Sequence, residues 1–230
     1  MPAPAIKTSK GQQTRRTILE TALGLFQERG YDQTTMRAIA AAAGVSLGNA
    51  YYYFASKEVL IQGFYERTHH EHLAVCGPIL EAETDLQRRL HGVMKAKLAT
   101  IEPYHRFAGV LFKTAADPAS PLNPFSPESR PVREEATALF ARVVEGSSAK
   151  IFKRLGPELP DLLWTYHMGI ILYWIHDSSP GRVNTVRLVE QTVGLVVKLI
   201  SMARLPMMRP LIGRALRLVS DLRAPAGAGA

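Results

Sequence analysis

Apolar residues recur along the chain with a period near 3.6, and no stretch alternates apolar and polar residues over the length of a strand. The chain is therefore expected to be all-α. A first helix from Gln12 to Arg29 gathers Ile18, Ala22, Leu23 and Phe26 on one face and stops at Gly30. A second begins after Thr34 or Thr35, either of which can cap it, buries Met36, Ile39, Ala40 and Ala43, and ends at Gly44. Ser46 caps a short third helix reaching Phe54. Ser56 caps a fourth, with Lys57 and Glu58 in its first turn, which is expected to break after Cys76 at Gly77-Pro78. Further helices are predicted at about 79–100, 103–116, 131–154, 158–177, 181–204 and 208–222, about nine to ten in all. Pro103, Pro131, Pro160 and Pro210 fall in first turns, where a missing N–H costs no helical bond. Prolines 118, 121, 124, 127 and 131 mark an irregular loop that Phe125 is expected to pin down.

The second and third helices are joined by Gly44-Val45, the short glycine-containing connection of a helix-turn-helix. At about 100° per residue, Phe54 and Leu47 lie within about 60° of Ala50, while Gly48, Asn49 and Tyr52 point the other way. One face is thus a core seam and the other is polar, with Tyr51 and Tyr53 on the flanks. Three consecutive tyrosines cannot all turn inward from a helix. Asn and Tyr displayed beside a glycine are chemically able to read a base edge and reach phosphate, and Lys57 adds a cation at the next helix start.

Charge sharpens that picture. The chain carries a formal +8, with seven Lys/Arg against four Asp/Glu in residues 1–60 and eight against two from 182 onward, so the cationic ends flank a near-neutral middle. Toward the C-terminus, Arg209, Arg214 and Arg217 read as the solvated face of a helix whose other face holds Leu211, Ala215, Leu218 and Leu222. The single cysteine, Cys76, excludes an internal disulfide framework and a cysteine-based zinc finger. The basic N-terminal stretch lacks the apolar run of a signal peptide, and the most apolar segment, Leu162 to Ile175, is too short and too polar to span a bilayer. A cytoplasmic location and no cofactor are expected.

From Thr14 to Phe64 the sequence resembles the DNA-binding domain of the tetracycline-repressor (TetR) family of bacterial regulators. The resemblance is carried by Phe26, Gly30-Tyr31, Thr34-Thr35, Ile39-Ala40, Gly44-Val45-Ser46, Tyr51, Phe54, Lys57-Glu58 and Leu60. It implies DNA contacts at Thr35, Arg37, Ser46, Leu47, Gly48, Asn49, Tyr51, Tyr52, Tyr53 and Lys57. It also implies a homodimer on operator DNA and a small-molecule effector, here expected to be apolar or aromatic, that lowers DNA affinity. The implied organisation is a flexible basic arm at 1–11, a helix-turn-helix domain at 12–72 with its motif at 35–54, an effector and dimerisation domain at 73–222, and a disordered tail at 223–230.

Residue patterns alone carry the reading of the body. The helix from Glu158 to Asp177 is apolar nearly throughout and is expected to be buried on all sides. Val186, Val189, Val193, Val196 and Ile200 form one row on the helix from Gly181, and Leu188, Leu195, Leu199 and Met202 form another. One core needs one row, and the valine row is assigned the dimer seam. Tyr104, His105, Phe107, Leu111, Phe112, Trp164, His167, Met168 and Trp174 are the candidate effector-pocket lining.

Two rival classes follow from the same residues. Glu66 with His69, and Glu102 with His105, have the Glu-x-x-His spacing of all-α di-metal carboxylate enzymes. Against this, Glu102 precedes Pro103, which disfavours helical geometry there, and His69, His70 and His72 read as a solvated or interdomain patch. A membrane-surface protein acting through residues 208–222 is disfavoured by Gly213, Asp221 and the absence of tryptophan from that stretch.

Overall fold

The computed structural model describes residues 9–223, in which ten α-helices occur and no strand. They are α1 Lys10–Arg29, α2 Met36–Ala42, α3 Leu47–Tyr53, α4 Lys57–Ala82, α5 Leu86–Ile101, α6 His105–Ala115, α7 Arg130–Glu145, α8 Leu159–His176, α9 Val183–Met202 and α10 Arg209–Arg223. Ser9 caps α1 in a capping box with Gln12, so the expected arm is already ordered at Ser9–Gly11; residues 1–8 and 224–230 of the expected arm and tail lie outside the described residues.

The chain forms two compact units, one of residues 1–70 with 103–133, the other of 71–102 with 134–230. Helices α4 and α7 each contribute residues to both. In the first unit the face read from the sequence is the core: Ile18, Ala22, Leu23 and Phe26 of α1 pack with Met36, Ile39 and Ala40 of α2 and Ala50 and Phe54 of α3. Residues 103–133, which the sequence reading assigns to the second domain, join this core instead. Phe107 stacks on Phe26 at 5.4 Å, and Leu111 and Leu122 are buried with it. In the proline-rich loop the pinning residue is Leu122, 1% exposed, whereas Phe125 is 69% exposed.

Helix α4 does not break at Gly77-Pro78 but runs on to Ala82. Cys76 and Leu80, on either side of the proline, are both buried, and this packing outweighs the one hydrogen bond that Pro78 removes. The true stop is at 83–85, where the Glu83 carboxylate accepts the N–H groups of Thr84 and Asp85 and Asp85 caps α5. Helix α7 stops at Glu145, ahead of Gly146, rather than at 154.

In the second unit α5 and α8 both pack on α9. That packing reverses the expected seam. Val189, Val193 and Ile200 are buried within the chain, and Val186 and Val196 are partly buried, so this row has little surface left for a partner. Leu195, Leu199 and Met202 are exposed instead. Nor is α8 buried all round: Leu172 and Tyr173 are also exposed.

A buried carboxylate holds the connection from α8 to α9. Asp177 Oδ1 accepts from the backbone N–H and hydroxyl of Ser179, and Oδ2 accepts from the N–H and hydroxyl of Thr185, at 2.6–2.9 Å. Desolvation opposes its charge, but the four donors win and hold its pKa below the ordinary carboxylate range. Its stabilising contribution is therefore complete above the ordinary carboxylate pKa and is lost as pH falls toward the folded-state value. Asp177→Ala should cost about 2–4 kcal/mol at neutral pH. Chemical denaturation at pH 7 and pH 3 should show the difference between variant and wild type shrinking at the lower pH.

Candidate nucleic-acid interface

The reading helix is built by local chemistry. Thr35 caps α2 by accepting the N–H of Ala38 at 3.2 Å, and Ser46 caps α3 by accepting that of Asn49 at 3.1 Å. Between them Gly44 takes φ 68°, a left-handed conformation costly for any residue with a Cβ. Its N–H reaches Ala41 O, and that of Val45 reaches Ala40 O, which closes the C-terminus of α2 and turns the chain into α3. Ala50 and Phe54 are fully buried and Leu47 packs partly against the same core, so the seam lies where the helical spacing puts it.

The opposite face is open. Tyr52 is 81% exposed and Tyr51 48%, Gly48 and Asn49 are exposed, and Tyr53 is partly buried edge-on to Tyr52 at 5.1 Å. Thr35, Arg37 and Ser46 are exposed alongside. Both cap hydroxyls use an acceptor lone pair for the cap and keep their O–H to donate. Lys57 is placed differently from a free cation at a helix start. It is partly buried, donates to Tyr31 O at 2.8 Å and sits 4.1 Å above the Tyr31 ring. Tyr31 in turn donates to Glu58 at 2.6 Å, and burial together with that carboxylate pushes its phenol well above the ordinary value. Arg15, not signalled by any motif, covers Phe54 at 4.9 Å and lies 3.7 Å from Glu66. This contact joins α1 to the end of α3 across residues far apart in the chain.

The nine pocket candidates divide between the units. Tyr104, Phe107 and Leu111 pack in the core of the first, with Tyr104 edge-on to Phe64 at 4.7 Å, and His105 and Phe112 accompany them on α6 as partly buried residues. Trp164, His167 and Trp174 are buried in the second, and Met168 is partly buried beside them on α8. The first unit also holds an open cleft of about 710 Å³ lined by Asp32, Glu58, Gln62, Lys113 and Asp117, among others. None of the nine candidates lines it. It forms where the proline-rich loop folds back on α4, with Gln62 donating to Pro121 O, so no helical periodicity announces it.

The two Glu-x-x-His pairs are not assembled as metal ligands. Glu66 lies beside Arg15, and Glu102 accepts from Trp174 Nε1 at 2.9 Å with Arg182 at 3.9 Å. His69 and His72 are buried rather than solvated, with His72 Nε2 3.0 Å from Val93 O, and only His70 is exposed. Among the described residues no cluster of three potential ligands is arranged for a metal, and no helix is long and apolar enough to cross a membrane.

An N-terminal core of α1 to α3 that displays a capped helix, followed by a second helical unit, defines the helix-turn-helix regulator class. Residues 18–63 match the family described as "Bacterial regulatory proteins, tetR family", and residues 89–218 match "Tetracyclin repressor-like, C-terminal domain". The chain belongs to the tetracycline-repressor family. It is 36% identical over 95 residues to the transcriptional repressor KstR2 of Mycobacterium tuberculosis, covering 40% of this chain and 46% of that one. It is also 40% identical over 67 residues to the regulator TtgR of Pseudomonas putida, covering 28% and 32%. The chain thus spans less than half the length of the curated relatives it matches. Among solved structures, a TetR regulator from Nitrosomonas europaea aligns with a TM-score of 0.61 at 17% identity, over 80% of this chain and 97% of that one. FadR of Bacillus subtilis, solved with stearoyl-CoA, aligns at 0.60 and 16%, over 77% and 96%. These likenesses concern the fold.

Proposed function

We propose that this chain is a transcriptional repressor that binds operator DNA as a homodimer and is released by a small effector. The observation that carries the reading is the exposed Gly48, Asn49, Tyr51 and Tyr52 face of α3, set by two capped helices and backed by the buried Ala50 and Phe54. A short side chain at Gly48 lets the helix approach a groove closely, Asn49 has the donor and acceptor pair that matches adenine, and the tyrosine hydroxyls reach phosphate or base edges. Thr35, Arg37 and Ser46 bind flanking phosphates. Leu47 contributes through the seam, and Lys57 combines a phosphate contact with its internal bond to Tyr31.

The dimer forms through the apolar strip left open on α8 and α9: Leu172, Tyr173, Leu195, Leu199 and Met202. Light scattering should give twice 25.4 kDa. Leu195→Arg with Leu199→Glu should yield a folded monomer with weakened operator binding; a variant still dimeric would assign the dimer to another surface.

Helix α4 links the two parts of the mechanism. Its N-terminus follows α3 directly, and its 26 residues span about 39 Å, so a shift of its far end moves the reading face. An effector that lowers operator affinity must itself be bound less tightly on DNA, by the same factor. Selection from fragmented genomic DNA followed by footprinting tests the function. Protection of two half-sites about 34–36 Å apart is expected, and DNA binding without sequence preference would overturn the reading.

A further inference from the structure

Resting on the proposal that α3 reads DNA, we propose that Arg15 of α1 is a positioning residue for that helix. It acts through Phe54, which it clamps against α4, and so holds the tyrosine-bearing end of α3 at its reading angle.

Helix α3 has seven residues and is about 10 Å long. Its first turn is tied to α2 by the Gly44 turn and the Ser46 cap. Its far end carries Tyr51 and Tyr52 and depends on a different anchor. Ala50, buried within the helix, offers only a methyl group, so the ring of Phe54 at the C-cap, 0% exposed, is the large side chain that fixes this end in the core.

Arg15 closes over that anchor. Its guanidinium lies 4.9 Å from the centre of the Phe54 ring, and Nη2 lies 3.7 Å from Glu66 Oε2 of α4. Gly63, on the same side of α4, leaves the room for both. A Cβ at residue 63 would stand 3.1 Å from Phe54 Cε1 and 3.3 Å from Arg15 Nη2, so ring and guanidinium occupy the space that any larger residue would take. One turn before Arg15 on α1, a Cβ at Gly11 would stand 3.4 Å from the Tyr53 hydroxyl. One stripe of α1 therefore runs along Tyr53 and Phe54, where α3 ends.

The ion pair to Glu66 adds little stability, because its two side chains are 45% and 51% exposed. It supplies direction instead: the carboxylate fixes where the planar guanidinium lies, and the guanidinium covers the ring. Hydrogen bonds to base edges tolerate shifts of only about 0.5 Å, so a small displacement of Phe54 is felt at the reading face.

The test uses the full chain, an operator selected from genomic DNA and a random duplex of equal length, with titrations at several salt concentrations and thermal melts. Arg15→Ala should lower operator affinity about 3-fold to 30-fold and leave random-duplex binding and the salt slope unchanged. Arg15→Lys should recover part of the loss. Glu66→Gln keeps the guanidinium but removes its guide, and should lower the ratio of operator to random-duplex affinity by about 2-fold to 10-fold. Gly63→Ala should lower the same ratio without lowering the melting temperature, since the helix preference of alanine offsets the displacement of the ring. These two variants decide the matter even where Arg15→Ala destabilises the fold. A salt slope reduced by about one in Arg15→Ala, with operator and random duplex weakened alike, would make Arg15 a phosphate contact and overturn the positioning role. So would a ratio unmoved in Glu66→Gln and Gly63→Ala. A wild type without sequence preference sinks the repressor reading and this role with it, whereas a selective wild type with unmoved variants sinks the positioning role alone.

Discussion

Arg89→Ala should lower folding stability by about 3–5 kcal/mol, the largest effect expected of a single substitution outside the apolar core. Arg89 is 3% exposed and its guanidinium serves carbonyls in the last turns of two helices. Nε donates to Val143 O at 2.9 Å and Nη2 to Arg142 O at 2.6 Å, at the end of α7. Nη1 donates to Leu80 O at 2.6 Å and to Glu83 O, at the end of α4. Arg142 O also accepts the N–H of Gly146, but all four carbonyls lie at the negative end of a helix dipole, so a fixed cation suits both ends. Alanine would remove the donor of the other three. Lysine retains the charge but has no planar fork to reach two helices, and should recover less than half of the loss. Gly146→Ala should act through the same lock, because a Cβ there would overlap the Arg89 guanidinium. Urea denaturation gives the measurement: a midpoint unchanged in Arg89→Ala would remove this residue from the stability of the second unit.

Combining Asn49→Ala with Tyr52→Ala should reduce operator affinity by about 2–6 kcal/mol while leaving stability within about 0.5 kcal/mol of wild type. Both side chains are exposed, so their removal opens no cavity. Phe54→Ala, one turn along the opposite face, should behave in the reverse order, losing about 3–5 kcal/mol of stability because that ring is fully buried beneath Arg15. Lys57→Ala should do some of each: it should lower the salt slope of binding by about one and loosen the contact with Tyr31. Anisotropy titrations at several salt concentrations, paired with thermal melts, distinguish the three. An unfolded double variant, or one that binds operator normally, would contradict the outward placement of Asn49 and Tyr52 against DNA.

The first three helices were legible because their determinants are local. A cap hydroxyl reaches an N–H three residues away, a glycine with positive φ ends a helix by its own conformation, and a 3.6 period places Ala50 and Phe54 under one face. Thr35, Ser46, Gly30 and Gly44 therefore act in the structure as their spacing says. Where two readings have the same local pattern, only the tertiary contacts choose. The valine and leucine rows of α9 are equally apolar, and α5 and α8 cover the first and leave the second open. Phe125 and Leu122 are both apolar residues among prolines, and the core of the first unit has room for Leu122. Gly77-Pro78 looks like a stop until buried residues on both sides hold the helix through it. Arg89 and Lys97 are two cations on one helix. The tertiary structure buries the first on the carbonyls of two helix ends and leaves the second partly exposed. The sequence alone determined the first three helices, the caps of α2 and α3 and the face of α3, because those interactions close within a few residues; which apolar row is covered and which charge is buried depended on other segments of the chain.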